Sequence, residues 1–172
     1  MNEFFAGLDV STQGQKIVVI DLQKNSVIYS DSINYDLDLP KYSTLNGVIR
    51  DTENGISESN PKMWIDALHL IFERLKTSSD IIQSIKAISI AGQQHGLVAI
   101  DIDGNLAKPT SKLWNDFSTL EECEILTKEI GGSEQMIHAV ANSQRTGYTA
   151  SKIFHMYRNE RELYDNTKHF LL

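Results

Sequence analysis

The segment "GLDVSTQGQKIVVID", residues 7–21, places polar side chains at a turn between two short apolar runs. These side chains and the accompanying glycine are Asp9, Ser11, Thr12, Gln13, Gly14 and Lys16. Proteins bind phosphate with backbone N–H groups of tight turns and with hydroxyl donors, and a nearby carboxylate positions the metal ion that neutralises the remaining charge. The segment therefore has the groups of a phosphate-binding loop. A plain hairpin, whose side chains bond their own backbone, remains the alternative.

A second polar stretch, "AGQQHG" at residues 91–96, follows an apolar run. Gln93, Gln94 and His95 can together hydrogen-bond several hydroxyl groups of one ligand. They come at the predicted carboxyl end of a parallel strand, where open α/β sheets bind ligands. A purely structural histidine is the alternative.

The third stretch is "KLWNDFST" at residues 112–119. The indole of Trp114 can pack on the apolar C–H face of a sugar, while Asn115 and Asp116 bind its hydroxyl groups. A buried tryptophan at a helix entry would explain the same pattern.

The first half of the chain must position the first two stretches. Residues 4–10, 16–21 and 26–33 predict three consecutive antiparallel strands. A polar stretch at residues 36–59 predicts a long loop. Asn60 and Pro61 open a predicted amphipathic helix at 61–76, in which Trp64, Leu68, Ile71, Phe72 and Leu75 recur at helical spacing. The run "IKAISIA" at 85–91 predicts a buried strand and hence a parallel crossover.

The second half is predicted to alternate short strands and helices. A strand in "GLVAIDIDGNL" leads to a turn at Asp103 and Gly104, and another covers 112–115. A capping box formed by Ser118 and Glu121 begins a helix that ends at Gly131. Further helices are predicted at 134–140 and 150–158, and "KHFLL" predicts a final strand.

Composition excludes several classes of function. The 172 residues include 16 Lys and Arg against 23 Asp and Glu, a net charge of −7, without a basic cluster, which argues against nucleic acid as a partner. Cys123 is the single cysteine and cannot form an internal disulfide. No apolar run approaches the roughly 20 residues that span a bilayer, so we expect no membrane partner and a reducing, cytoplasmic location.

The three motifs in this order, followed by "GYTASK" at residues 147–152, resemble the N-terminal domain of the FGGY carbohydrate kinases. Within that family they are most similar to the xylulokinase branch, and the extended segment "DLDLPKYSTLNGV" and the QQHG form resemble its eukaryotic members. The resemblance covers residues 1–172 and implies an α/β fold. It is the ribonuclease H-like mixed sheet with flanking helices that sugar kinases share with actin and heat-shock ATPases.

The resemblance implies transfer of the γ-phosphate of ATP, with Mg²⁺, to D-xylulose in the pentose phosphate pathway. Asp9 matches the acid that holds Mg²⁺ through water, and Ser11, Thr12, Gln13 and Lys16 fall in the phosphate-binding hairpin. The substrate-binding positions implied by the family are Gln94, His95, Trp114, Asn115, Asp116 and Arg145.

The resemblance also implies that this chain is the first part of a longer kinase. The family's catalytic base is an aspartate expected beyond Leu172, and its nucleotide domain is expected there too, so we expect no turnover from this chain alone. Two alternatives stay open: a related kinase acting on ribulose, glycerol or gluconate, and a sugar-binding module without catalysis. We expect Asp9, His95 and Asn115 to converge on one cleft.

Overall fold

The computed structural model describes residues 3–50, 55–78 and 80–172. The strands are β1 Phe4–Val10, β2 Gly14–Asp21, β3 Ser26–Asn34, β4 Thr44–Leu45, β5 Val48–Ile49, β6 Glu58–Ser59, β7 Ile85–Gly92, β8 Val98–Ile100, β9 Ser111–Lys112 and β10 His169–Leu171. The helices are α1 Tyr35–Asp38, α2 Pro61–Ser78, α3 Leu120–Glu129, α4 Ser133–Val140, α5 Thr149–Asn159 and α6 Arg161–Asn166. The chain divides into two compact units, Met1–Arg50 with Asn60–Gln93, and Asp51–Ser59 with Gln94–Leu172.

The first unit contains a four-stranded mixed sheet in the order β3-β2-β1-β7. The first three strands pair antiparallel, and β7 pairs parallel to β1. The predicted strands and the parallel crossover through α2 are therefore confirmed. This topology places the β1–β2 turn and the carboxyl end of β7 at the same end of the sheet, where both strands finish.

The core of the first unit lies between the sheet and α2. Burial alternates along β1, where Phe4, Ala6 and Leu8 are buried, as a strand with one covered face requires. In α2 the fully buried residues are Met63, Ala67, Ile71 and Leu75, which recur every four positions. Of the predicted apolar stripe, Ile71 and Leu75 are among these residues, and Trp64, Leu68 and Phe72 are partly buried and pack against the same core. The predicted cap is confirmed, since Asn60 Oδ1 accepts from the Lys62 N–H at 3.0 Å.

The predicted long loop at residues 36–59 is instead built of short elements wherever the structure describes it. It contains most of α1, a 3-10 turn at Pro40–Tyr42, and the strands β4, β5 and β6. Asn46 and Gly47 join β4 to β5 with φ angles of 54° and 77°. Positive φ at both central residues is the geometry of a tight two-residue hairpin turn, for which Asn-Gly is the preferred pair. Residues 51–54 of the predicted loop lie outside the described residues.

The prediction that β7 is buried is wrong. All its residues from Lys86 to Gly92 are exposed, with Ile88 at 45% and Ile90 at 65%. Within the described residues β7 pairs with β1 alone, so it forms an edge of the sheet. An apolar run predicts a strand that can be buried, but it does not supply the neighbouring strand that would bury it.

An exposed apolar edge strand is a template for pairing with another chain, so we expect this chain to self-associate at high concentration. The variant Ile90→Lys should weaken that association roughly tenfold, or about 1.4 kcal/mol. Sedimentation velocity over a range of concentrations measures the effect. Ile102→Lys is the control, because Ile102 is 73% exposed but lies outside any strand. Equal association of the Ile90→Lys variant and the wild type would contradict the prediction.

Within its described residues, the second unit combines two short strand pairs with four helices. The pairs are β8 with β10 and β6 with β9, both antiparallel. Ala99, Ala107 and Met156 form a small core flanked by Leu163, Tyr164 and Phe170. Helices α3, α4 and α5 and the final strand β10 confirm the prediction, whereas α6 was not predicted.

Two local predictions in the second unit are wrong. The strand predicted at 112–115 is only Ser111–Lys112. The capping box does not form, because Thr119 occupies the N-cap position of α3 without a side-chain cap bond. Ser118 instead donates its hydroxyl to Asp116 at 2.5 Å. In the part of the chain that the structure describes, no helix combines the length and apolarity needed to cross a membrane.

Candidate functional site

The turn between β1 and β2 is held tightly by hydrogen bonds within the first unit. The Ser11 N–H donates to the Gly14 carbonyl at 2.9 Å, and the Ser11 hydroxyl donates to Asp9 Oδ2 at 2.9 Å. The Tyr35 hydroxyl donates to the Ser11 carbonyl at 3.2 Å. Burial raises the pKa of Tyr35 to about 12, so this hydroxyl stays neutral and keeps its proton. These hydrogen bonds, including the one from Tyr35, therefore fix the conformation of the β1–β2 turn.

A cavity of about 260 Å³ opens beside this turn. Its lining residues are Asp9, Ser11, Gln13, Gly14, Gln15, Lys16, Ser32, Ile33 and Asn34. Four of the predicted phosphate or metal residues, all except Thr12, therefore lie together. The Thr12 hydroxyl donates instead to Gln93 Oε1 at 3.0 Å. The cavity presents a lysine, a hydroxyl and a carboxylate, which is the donor set that a phosphate and its metal ion need.

Asp9 is exposed at the end of β1 and pairs in register with Lys16 on β2. The described residues contain no group of three or more His, Cys, Asp and Glu side chains that could hold a metal by themselves. Mg²⁺ is commonly bound through one or two carboxylates, water and substrate phosphates. A single exposed carboxylate beside hydroxyl and lysine groups fits that mode of binding.

The Asn46-Gly47 turn supports the same loop. A Cβ on Gly47 would overlap the Thr12 carbonyl oxygen and lie 3.1 Å from Gln13 Cα, so the two turns are in close backbone contact. Asp36 holds this turn by accepting from the Asn46 N–H at 2.6 Å and the Gly47 N–H at 3.0 Å. Although burial acts to raise it, hydrogen bonds from Thr44, Gly47 and Asn46 lower the pKa of Asp36 below its usual value.

In the second unit, His95 has the left-handed φ of 61°. This conformation is uncommon for a residue other than glycine and is often found at functional sites. The imidazole packs against Tyr148, with ring centroids 4.8 Å apart. The Thr149 hydroxyl lies 3.5 Å from His95 Nδ1. The neighbouring Gln94 is exposed.

The same unit contains a cavity of about 460 Å³. It is lined by Trp114, Asn115, Phe117, Leu120, Cys123, Gln144, Arg145, Thr146, Gly147 and Tyr148. Three predicted substrate residues, Trp114, Asn115 and Arg145, therefore share one cavity. His95 is not in its lining but contacts it through Tyr148. Trp114 is 53% exposed, so its indole can receive a ligand, and the alternative of a buried tryptophan is wrong.

Asp116 differs from the other predicted substrate residues because its side chain is completely buried. Oδ2 accepts from the Ser57 N–H at 2.9 Å and lies 3.5 Å from Lys112 Nζ. Oδ1 accepts from the Ser118 N–H at 3.0 Å and from the Ser118 hydroxyl. Both oxygens are occupied by the protein, which fits a role in shaping the loop that carries Trp114 and Asn115.

Glu58 continues this buried ionic network. Its carboxylate lies 3.2 Å from Lys112 Nζ and 3.5 Å from Lys108 Nζ, and it accepts from the Thr110 hydroxyl. Burial acts to raise the pKa of Glu58, but the Thr110 hydrogen bond and the two ammonium groups lower it below its usual value. The carboxylate is therefore ionised at neutral pH and fixes β6 against β9.

Sequence reasoning missed several residues that organise these sites. Gln93 was expected to contact a ligand together with Gln94 and His95, but its Oε1 accepts a hydrogen bond from the Thr12 hydroxyl. Lys152 lies within the "GYTASK" motif, and its role follows only from the fold. A Cβ on Gly147, in the same motif, would overlap the Trp114 carbonyl oxygen, so the glycine permits a close approach of two loops. The Asn-Gly pair was an available signal for the supporting turn.

The first hairpin belongs to one compact unit, and His95, Trp114, Asn115 and Arg145 belong to the other. The expectation that Asp9, His95 and Asn115 converge on one cleft therefore stays a prediction.

Comparison with known proteins identifies the type of chain. The model of the FGGY family of carbohydrate kinases, N-terminal domain, matches residues 4–172. The chain is 38% identical over 187 residues to xylulose kinase of Schizosaccharomyces pombe and 30% identical over 185 residues to that of Rattus norvegicus. These alignments cover 98% and 96% of this chain. The chain spans about a third of the length of these relatives, 33% and 34%.

Solved structures have the same fold. The crystal structure of a xyloylose kinase from Brucella ovis matches with a TM-score of 0.82 and 26% identity, over 99% of this chain and 32% of that one. A gluconate kinase from Lactobacillus acidophilus matches with a TM-score of 0.81 and 22% identity, over 99% of this chain and 31% of that one. At that identity the second likeness concerns the fold alone.

Proposed function

Because this chain belongs to the FGGY family of carbohydrate kinases, we propose that it supplies the phosphate-binding hairpin and the sugar-binding loops of an ATP-dependent kinase. The reaction that we propose converts D-xylulose to D-xylulose 5-phosphate, as the names of the relatives suggest. The observation that carries this proposal is the cavity of the second unit. It combines Trp114, Asn115 and Arg145 with Tyr148, against which His95 packs.

These side chains suit a small polyhydroxylated ligand. The exposed indole of Trp114 offers an apolar surface for the C–H face of a sugar. Asn115, Arg145, Gln94 and His95 offer amide, guanidinium and imidazole groups for its hydroxyls. A site that hydrogen-bonds each hydroxyl discriminates strongly against analogues that lack one, which is how such a cavity would select its sugar.

On the phosphate side, Ser11, Gln13 and Lys16 line the cavity beside the turn, and we assign them to the transferring phosphate of ATP. Asp9 would hold Mg²⁺ through water, and the metal would neutralise phosphate charge during transfer. Thr12 would act through its hydrogen bond to Gln93, which fixes the turn.

Transfer to an alcohol also needs a carboxylate that accepts the hydroxyl proton. We assign this role to no residue of the chain. Asp116 is unsuitable, because it is fully buried and both its oxygens already accept hydrogen bonds. We propose that the base and the nucleotide domain belong to residues outside this chain, so that the chain alone binds the sugar without turning it over.

Isothermal titration calorimetry of D-xylulose against the wild type and His95→Ala tests the proposal. We expect the variant to bind at least about tenfold more weakly, because loss of a hydrogen-bonding group from a sugar site leaves a hydroxyl unpaired. His138→Ala is the matched control, since His138 is exposed on α4 and lines neither cavity described above. It should bind like the wild type.

Parallel titrations with D-ribulose, glycerol and gluconate decide the substrate. Tighter binding of one of these would replace D-xylulose in the proposal, and identical heats for wild type and His95→Ala would remove His95 from the site. A coupled assay of ADP release by the chain alone should show no sugar-dependent turnover, and measurable turnover would overturn the assignment of the base.

A further inference from the structure

Lys152 lies in α5 with 1% of its side chain exposed. Its Nζ donates to three backbone carbonyls, those of His95 at 2.5 Å, Leu113 at 2.8 Å and Gly147 at 2.9 Å. Among the described residues, no carboxylate forms an ion pair with this ammonium group. A buried ammonium without a carboxylate partner is costly, so its retention requires a specific reason.

All three N–H donors of the Lys152 ammonium group have an acceptor. A charged lysine has three N–H donors, and three carbonyl oxygens accept them. Burial lowers the pKa of Lys152 to about 8, although the negative charge of Asp116 acts to raise it. The ammonium group is therefore still mainly protonated at neutral pH. An uncharged amine would keep two donors for three carbonyls, and its lone pair would face an oxygen atom.

The three carbonyls belong to the three segments that carry the proposed sugar-binding residues. One is the carbonyl of His95, the residue with the left-handed backbone. The second directly precedes Trp114, and the third directly precedes Tyr148. These segments are distant along the chain, and one ammonium group fixes all of them at a common point.

We propose that Lys152 is a positioning residue for the sugar site, whose ammonium group sets the spacing of the His95, Trp114 and Tyr148 loops without contacting the sugar. The inference rests on the proposed function of those loops. It predicts that the binding geometry, more than the fold itself, depends on this side chain.

Lys152→Met tests the proposal, because methionine keeps most of the length of the side chain and removes all three donors. We expect D-xylulose to bind about tenfold more weakly by calorimetry, since displaced binding groups lose affinity steeply. Lys108→Met is the matched control. Lys108 is also largely buried in the second unit, but its Nζ bonds to Glu160 at 2.6 Å and not to these loops. That variant should bind within about twofold of the wild type, well under the tenfold that corresponds to 1.4 kcal/mol.

A double-variant cycle distinguishes positioning from general stabilisation. Because Lys152 acts on the His95 loop as well as on the other two loops, the loss of affinity in Lys152→Met/His95→Ala should be smaller than the sum of the two single losses. Additive losses would overturn the proposal. So would wild-type affinity in Lys152→Met.

A spectroscopic readout keeps the test independent of sugar binding. In Lys152→Met, the carbonyl ¹³C resonances of His95, Leu113 and Gly147 should all shift, whereas in Lys108→Met they should stay in place. Unchanged resonances in Lys152→Met would overturn the inference whether or not the sugar binds. Absence of sugar binding by the wild type, with these resonances shifted in the variant, would overturn the proposed function and leave the positioning geometry supported.

If Lys152→Met does not fold, the wild type itself supplies the test. On raising the pH from about 6.5 to 10.5, a range that brackets the lowered Lys152 pKa of about 8, the three carbonyl resonances should move together with one midpoint. The titratable groups around Lys152 and its three carbonyls are Asp116, Lys112, Lys108, His155, Glu160, His95 and Tyr148. Separate midpoints, or no movement, would overturn the proposal.

Discussion

Gly47→Ala should lower the free energy of unfolding of the first unit by roughly 3–5 kcal/mol, which places it among the largest single-residue effects. Two costs combine. Gly47 has a φ of 77°, which costs an L-residue about 1–2 kcal/mol. The new Cβ would also overlap the Thr12 carbonyl oxygen, and neither backbone can move without disturbing the turn between β1 and β2. Urea unfolding followed by tryptophan fluorescence and circular dichroism measures the effect.

Gly104→Ala separates the two costs. Gly104 has a φ of 82°, but a Cβ there would meet no atom within 4 Å. Its loss should therefore stay near the 1–2 kcal/mol of the backbone conformation alone. Equal losses for Gly47→Ala and Gly104→Ala would show that the contact between the Asn46-Gly47 turn and the hairpin has no energetic importance.

Asp116→Ala should destabilise the second unit by about 3–5 kcal/mol, the range for removing one partner from a buried ion pair. The substitution leaves the N–H groups of Ser57 and Ser118 without their acceptor and removes a carboxylate from the vicinity of Lys112. Asp116→Asn should cost nearly as much. Its amide NH₂ group would replace one of the two carboxylate oxygens and would therefore face the N–H donor of either Ser57 or Ser118. Chemical unfolding of both variants measures the losses.

The neighbouring residue is the control for this prediction. Asn115 is partly buried, and its Oδ1 accepts one hydrogen bond, from the Ser57 hydroxyl at 2.8 Å. Asn115→Ala should therefore cost only about 1 kcal/mol of stability, while weakening sugar binding. An Asp116→Ala variant with wild-type stability and reduced sugar affinity would instead place Asp116 in direct contact with the ligand.

Local pattern was sufficient to predict the elements that carry the motifs. Alternation in β1 and β2, and the Asn60-Pro61 opening of α2, depend on neighbouring residues, and the structure confirms them. The predicted stripe of α2 includes the fully buried Ile71 and Leu75 but omits Met63 and Ala67, because Trp64, Leu68 and Phe72 fit an apolar stripe equally well. Only contact with the sheet distinguishes the two.

Burial and side-chain partners could not be predicted in the same way, because both depend on residues distant in sequence. β7 has the composition of a buried strand, but its exposure is decided by the absence of a second neighbour among the described residues. Asp116 has the type and position of a ligand-binding carboxylate, and its burial follows from Ser57, 59 residues earlier in the chain. Lys152 shows no helical or charge pattern that distinguishes it from a surface lysine.

The boundary between the two compact units falls inside "AGQQHG", between Gln93 and Gln94, which have different roles in the structure. Gln93 closes the hydrogen bond to Thr12, and Gln94 begins the loop that leads to the left-handed His95. We therefore expect this chain to tolerate neither an insertion nor a deletion here. A change of length by one residue would release either the Thr12 hydroxyl from Gln93 or the His95 backbone from its left-handed conformation, whereas an exchange of the Gln94 side chain would leave both in place.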